Sequence, residues 1–148
     1  MDTHTIHLHR VLRAPAERVY RAFLDPAALV KWMSPHGFTA TVHEQDARVG
    51  GGYRISFTNF CSGDSHSFGG RYLELVPGER IVHTDAFDDS NLPGEMVVTV
   101  ELKTVSCGTD LTITQAGVPA VIPAEACYQG WQESLALLAL LVEAEIPA

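Results

Sequence analysis

The feature that most constrains the fold is the apolar segment between Pro123 and Pro147. Proline is tolerated in the first turn of a helix and disfavoured beyond its last, so these prolines bracket a helix of about 22 residues, about 33 Å long. At helical spacing one stripe of this helix collects Ala124, Cys127, Trp131, Leu135, Leu138, Ala139 and Val142. The stripe must be buried, and one other helix of this chain is too short to cover it.

The middle of the chain offers only strands as a cover for this helix. From Phe38 onward the hydrophobic period is two, and short separators make the strands antiparallel. We predict strands near 38–46, 52–60, 66–76, 79–87, 95–104 and 109–116. Alternation gives the sheet one apolar face, formed by Phe38, Ala40, Val42, Tyr53, Ile55, Phe57, Met96, Val98, Val100, Leu102, Leu111 and Ile113.

The first third of the chain adds a strand and two short helices. Thr3 to Leu12 alternates like a strand, Pro15 opens a helix that ends near Asp25, and Pro26 to Met33 forms a second helix. The expected class is therefore α+β: a bent antiparallel sheet of about seven strands wrapped around the C-terminal helix. A curved sheet and a straight helix do not match everywhere, so this arrangement favours an internal cavity and a binding function.

Composition limits the partners of this chain. Its 148 residues fit one domain, residues 1–148, and its net charge of -8 argues against nucleic acid and anionic membranes. The longest apolar stretch is too short for membrane insertion, and the N-terminus lacks the pattern of a signal peptide. Three widely spaced cysteines outside any CxxC pattern favour a reduced, cytoplasmic protein.

The segment Arg10-VLRAPAERVYRAFLDPAALVKWMSPHGF resembles the opening of the SRPBCC/START-like helix-grip superfamily. Within it, the chain is most similar to the family of activator of heat-shock protein 90 ATPase homologues. Further matches are Gly51-Gly52, Gly70-RYLEL-Val76-Pro77, Glu79-Arg80-Ile81-Val82, and Gly130-Trp131 with Leu135 and Leu138. Their order and spacing, over almost the whole chain, carry the resemblance.

The resemblance implies a sheet wrapped around the C-terminal helix, an internal pocket, and a ligand-binding or co-chaperone role. It does not imply a particular reaction. Two residues depart from the family pattern: Met33 replaces a second aromatic residue after the tryptophan, and Asp85 stands in the fifth strand where a large aromatic or apolar residue is common. Both departures alter the expected size and polarity of the pocket.

His83 and Asp85 are the polar candidates for this pocket. They are two residues apart in one predicted strand, so they share a face with Ile81 and Phe87. If that face is the inner one, a histidine and a carboxylate with shifted pKa values stand in apolar surroundings. In the alternative, Val82, Thr84 and Ala86 face inward, and the pair is solvated.

Aromatic and apolar residues supply the other candidates. Trp32, Phe57, Tyr72, Met96, Trp131 and Leu135 would line the cavity together with His83 and Asp85, although ordinary core packing explains such residues equally well. The seven histidines lack metal-ligand spacing, and the cysteines lack a neighbouring base. We therefore expect no metal, no cofactor and no catalytic residue.

We thus expect a non-enzymatic protein that binds a small hydrophobic or amphipathic molecule. One alternative is a co-chaperone that regulates a heat-shock protein 90 ATPase, although the eukaryotic activators carry an additional chaperone-binding domain. A second alternative is an enzyme resembling polyketide cyclases that uses the same cavity. Leu140 lies opposite Trp131 on the helix, where it suits either a homodimer contact or an ordinary exposed leucine.

Overall fold

The computed structural model describes residues 2–147 and has the predicted order of elements. The first strand is followed by two helices, six strands and a long helix. In chain order these elements are β1 (Thr3–Leu12), α1 (Ala16–Leu24), α2 (Pro26–Trp32), β2 (Phe38–Gln45), β3 (Gly52–Asn59), β4 (Ser65–Val76), β5 (Arg80–Phe87), β6 (Met96–Val105), β7 (Gly108–Pro119) and α3 (Ala124–Val142).

The seven strands form one antiparallel sheet in the order β1-β7-β6-β5-β4-β3-β2. Its central strands bury the faces that alternation predicts, and their side chains share one core with α3. On the edge strand β2 the predicted inward residues are only half-buried. The buried members of the predicted face are Tyr53, Ile55, Met96, Val98, Val100, Leu102, Leu111 and Ile113.

Helices α1 and α2 meet at a short, well-defined junction. Asp25 accepts the Ala27 N–H at 2.9 Å and caps α2, whose first residue is Pro26. Trp32 is fully buried, and its indole N–H donates to the Ala22 carbonyl at 2.9 Å. This hydrogen bond satisfies the indole in the core and joins the end of α2 to α1.

Helix α3 is shorter than the two prolines suggest, because it ends at Val142 and has 19 residues. Beyond Val142 the sequence has no continuous apolar stripe to bury, and Pro147 disfavours helical geometry at the residue before it. Polar contacts hold the helix end, since Arg18 donates to the Val142 carbonyl and the Arg13 N–H donates to Glu143, both at 2.9 Å.

Leu140 lies on the outer side of α3 and is 75% exposed. This exposure leaves both explanations of the residue open, and a homodimer remains a prediction. Within residues 2–147, no helix combines the length and the apolar character that crossing a membrane requires.

Candidate functional site

A cavity of about 300 Å³ separates the sheet from the first half of α3. The strands β2 to β7 supply one wall, and α3 supplies the other. The lining residues are Met33, Pro35, Phe38, Phe57, His66, Phe68, Asp85, Phe87, Met96, Gln115, Val118, Ile122, Ala126, Cys127, Gly130, Trp131 and Ser134. His66 and Ala126 are also exposed, so the cavity reaches the protein surface beside them.

Gly130 makes room for the cavity in the middle of α3. A Cβ atom added there would meet only the Cγ atom of Pro35, at 3.8 Å. Glycine is costly inside a helix because it loses much backbone freedom, and here its missing side chain leaves space open on the cavity side.

Three polar side chains of the cavity wall are already paired within the protein. The Trp131 indole N–H donates to Gln115 Oε1 at 2.9 Å, and Gln115 Nε2 lies 3.4 Å from the sulfur of Met96. The Ser134 hydroxyl donates to the Met33 carbonyl at 2.8 Å. These bonds fix the wall and leave those groups with little need of a ligand.

A smaller inner chamber of about 40 Å³ lies next to the cavity, towards α1 and α2. Met33, Asp85 and Trp131 line both spaces and therefore stand where the two meet. The other lining residues of the inner chamber are Phe23, Leu29, Trp32, Tyr53, Ile55, Tyr72, Ile81, His83, Val98 and Val100.

The strand β5 is locally distorted beside this chamber. The Thr84 carbonyl accepts the Tyr53 hydroxyl at 2.8 Å and His83 Nδ1 at 2.9 Å, which makes Nδ1 the protonated ring nitrogen. The Thr84 hydroxyl accepts the Arg71 N–H of β4 at 3.0 Å. Thr84 thus bonds to β4 through its side chain, and its carbonyl accepts hydrogen bonds from the two chamber residues Tyr53 and His83.

Gly70 allows the close approach of β4 and β5 at this distortion. A Cβ atom at Gly70 would lie 2.0 Å from the Thr84 oxygen and 2.6 Å from its carbonyl carbon. Real Cβ atoms do not approach backbone atoms so closely, so only glycine fits there.

Asp85 lines the cavity, and its buried Oδ1 atom has no hydrogen-bond partner within residues 2–147. Burial raises the pKa of Asp85 to about 7, against the opposing effect of the Ala86 N–H. Burial also lowers the pKa of His83, although its hydrogen bond to the Thr84 carbonyl acts to raise it. The lowered pKa keeps the imidazole neutral. Asp85 is therefore a buried carboxyl group that can change charge near neutral pH.

An aromatic cluster surrounds the part of the cavity that reaches the surface. The rings of Phe57 and Phe68 meet edge to face with centroids 4.8 Å apart, and His66 lies 5.7 Å from Phe57. The ring centroid of Phe38 lies 6.2 Å from that of His66. A molecule that enters here would pass between aromatic side chains.

The structure distributes the sequence-predicted site residues over three places. Phe57, Asp85, Met96 and Trp131 line the larger cavity, and Asp85 and Trp131 also line the inner chamber. The inner chamber further contains the predicted residues Trp32, Tyr72 and His83. Leu135 lines neither space, because it lies one turn beyond Trp131, where the core is filled.

Sequence reasoning missed three residues that shape the site, and each had a signal. Gln115 continues the inward alternation of Leu111 and Ile113 with a polar side chain. Gly130 interrupts a helix, and Gly70 interrupts a strand, and glycine at such positions often marks a close approach or an open space.

The arrangement suits binding of an apolar molecule with one polar anchor. Residues 2–147 contain no group of three or more His, Cys, Asp or Glu side chains placed to hold a metal ion. The large cavity is dominated by aromatic, methionine and aliphatic side chains, and among the described residues Asp85 supplies its single carboxyl group.

Comparison with solved structures gives close relatives of the whole domain. A protein from Chromobacterium violaceum is 63% identical, with a TM-score of 0.94 over 95% of this chain and 98% of that one. A protein from Rhizobium leguminosarum is 25% identical, with a TM-score of 0.81 over 97% of both chains. The AHSA1 protein from Silicibacter pomeroyi, 20% identical over 93% of this chain and 96% of that one, shares the fold with a TM-score of 0.80.

A search of functionally curated proteins gives no match. The family model described as activator of Hsp90 ATPase homolog 1-like protein matches residues 13–143, which is most of the chain. The match begins at the end of β1 and continues just past the end of α3, so it includes both walls of the cavity. The chain belongs to the activator of Hsp90 ATPase homolog 1-like family.

Proposed function

We propose that this protein binds a small hydrophobic or amphipathic molecule in the cavity between the sheet and α3. The observation that carries the proposal is the cavity itself. Its volume is about 300 Å³, its walls are mostly apolar, and the domain around it is closely packed. Pockets for small ligands begin at about this size, and the volume equals that of about ten water molecules. A ligand of one or two rings would fill it.

The chemistry of the wall supports the same proposal. Apolar walls hold water poorly, so a ligand that displaces this water and contacts the aromatic rings gains free energy. The opening beside His66 and Ala126 gives such a molecule a route that requires no unfolding. Trp131 and Gln115 hold one another in place, so the wall between them is formed before the ligand arrives.

The test is native mass spectrometry of the protein purified from its own host, repeated after denaturation. We expect a mass excess that disappears on denaturation and gives the mass of the ligand. A bare chain mass, together with no binding of a fluorescent hydrophobic probe, would contradict the proposal.

Gly130→Leu provides the matching variant, because the new side chain projects from α3 into the cavity. We expect it to lose the mass excess and retain the fold. Gly130→Ala is the control, since its single methyl group meets only Pro35 and leaves most of the cavity open. Equal ligand loads in both variants would place the ligand outside this cavity.

Catalysis is a second candidate, favoured by one observation: the pKa of Asp85 lies at about 7, where a carboxyl group can both give and take a proton. The molecule eluted from the protein would be incubated with the wild type and with Asp85→Asn. A new product mass that depends on Asp85 favours an enzyme, whereas an unchanged molecule favours binding alone.

Regulation of a chaperone is a third candidate, favoured by the description of the family model. It would use the outer surface, so Gly130→Leu should not affect it. The discriminating measurement is the ATPase rate of the heat-shock protein 90 of the same host, with and without this protein. Stimulation that Gly130→Leu preserves would favour a role independent of the cavity.

A further inference from the structure

We propose that the cavity selects molecules in which an apolar body carries one protonated amine, and that Asp85 binds the amine. This inference rests on the proposed binding function and adds the chemical class of the ligand. The Asp85 carboxyl group lines both the cavity and the inner chamber, and its Oδ1 atom has no partner within residues 2–147.

A buried carboxyl oxygen without a partner needs a hydrogen-bond donor. The nearby donors are already engaged. The Tyr53 hydroxyl and His83 Nδ1 both bond to the Thr84 carbonyl, and the Trp131 indole N–H bonds to Gln115. A donor brought by the ligand would therefore supply what the protein does not.

The charges around Asp85 favour a cationic donor over an anionic group. The titratable side chains that line the two spaces are Tyr53 from β3, His66 and Tyr72 from β4, His83 from β5 and Cys127 from α3. In the part of the chain that the structure describes, no lysine or arginine lines either space. A carboxylate ligand would face the negative charge of Asp85 without a nearby fixed cation, whereas an ammonium group would neutralise it.

Folding has already removed most of the water around the Asp85 carboxyl group. A buried ion pair usually suffers because both partners lose their hydration, but here binding adds only the desolvation of the ligand amine. A hydrogen bond between ammonium and carboxylate is also shorter and stronger than one from a neutral hydroxyl. We therefore expect the amine to bind at least about tenfold more tightly than an alcohol of the same shape.

The protonation of Asp85 makes this selectivity dependent on pH. With a pKa of about 7, the ionised fraction of Asp85 rises about tenfold between pH 6 and pH 8 in the free protein. The affinity for an amine that stays protonated should rise by a similar factor. The affinity for the alcohol should change little, because a hydroxyl group can bond to either form of the carboxyl group.

The experiment uses three probes with one apolar body: 1-naphthylmethylamine, 1-naphthalenemethanol and 1-naphthoate. Calorimetry at pH 6 and pH 8 gives the affinities for the wild type and for Asp85→Asn. We expect the order amine, alcohol, carboxylate at pH 8, and a loss of about tenfold in amine affinity in the variant.

The two tryptophans provide a site-specific readout in the same samples. The Trp131 indole N–H lies at the cavity wall, and the Trp32 indole N–H is buried against Ala22, so nuclear magnetic resonance should show two indole signals. Binding in the cavity should shift the Trp131 signal more than the Trp32 signal. The Trp32 signal also shows that the variant is folded.

The outcomes separate this inference from the function on which it rests. Equal affinity of amine and carboxylate, or amine binding that neither pH nor Asp85→Asn alters, would overturn the amine assignment while cavity binding stands. If no probe moves the Trp131 signal, the assignment is overturned, and native mass spectrometry then decides the proposed function. The comparison of probes on the wild type needs no variant, so it holds even if Asp85→Asn does not fold.

Discussion

Replacing Asp85 with asparagine should stabilise the ligand-free protein, and the gain should grow with pH. Burial raises the pKa of Asp85 from 3.8 to about 7, so the native state keeps a proton that the unfolded chain has already released. Over this range the unfolded state binds fewer protons, and the free energy of unfolding falls as the pH rises. Asparagine resembles the protonated side chain in shape and does not titrate.

The magnitude follows from the two pKa values of Asp85. One pKa unit corresponds to about 1.4 kcal/mol, so the difference between 3.8 and about 7 corresponds to about 4 kcal/mol above pH 7 and about 1 kcal/mol at pH 4.5. About 4 kcal/mol is an upper bound, since solvent that reaches the cavity stabilises the charged carboxylate. The lowered pKa of His83 acts in the opposite direction below pH 6.5, but both proteins share it, so it largely cancels in the difference.

The assay is urea unfolding of the ligand-free wild type and of Asp85→Asn at pH 4.5, 6 and 8. We expect the difference in unfolding free energy to increase steadily over this series. Asp64→Asn is the matched control, because Asp64 is exposed in the turn between β3 and β4 and lines neither space. A difference of the same size at every pH would refute the burial of an ionisable Asp85.

Three further substitutions test the surroundings of the site. Tyr53→Phe removes the hydroxyl that donates to the Thr84 carbonyl, so the free energy of unfolding in the same urea assay should fall by about 1 kcal/mol, and an unchanged value would mean that this buried bond adds no stability. Gly70→Ala places a methyl group against the Thr84 carbonyl and should lower the free energy of unfolding by at least about 2 kcal/mol; a smaller loss would mean that the strands separate easily. Gly130→Ala should raise it by about 0.5 to 1 kcal/mol in the same urea assay, because alanine favours the helix and its Cβ atom has room, and a loss would contradict this reading of α3.

Much of the architecture could be predicted because it depends on local patterns. The period of two, interrupted by short turns, located all seven strands, and the switch to helical spacing located α1, α2 and α3. The prolines set the start of α3 correctly. They placed its end too late, because the helix follows its buried stripe, which stops at Val142, and not the next proline.

The details of the site could not be predicted because they depend on contacts between strands. Alternation left two readings of β5, with either His83 and Asp85 or Thr84 facing inward. The structure places His83 and Asp85 on the chamber side, yet Thr84 is also buried, because Gly70 lets β4 approach its backbone. In β5 the Thr84 side chain, and not a backbone carbonyl, accepts the Arg71 N–H of β4. This contact breaks the simple alternation, and it cannot be predicted from the sequence of β5 alone.

The pairing of β1 with β7 also determines when the sheet can be completed during synthesis of the chain. Thr109 donates to the Ala14 carbonyl across 95 residues of sequence, so β1 leaves the ribosome long before the strand it pairs with. The helix that forms the other wall of the cavity emerges later still. The proposed binding cavity is therefore complete only after α3 has been synthesised and has packed against the sheet.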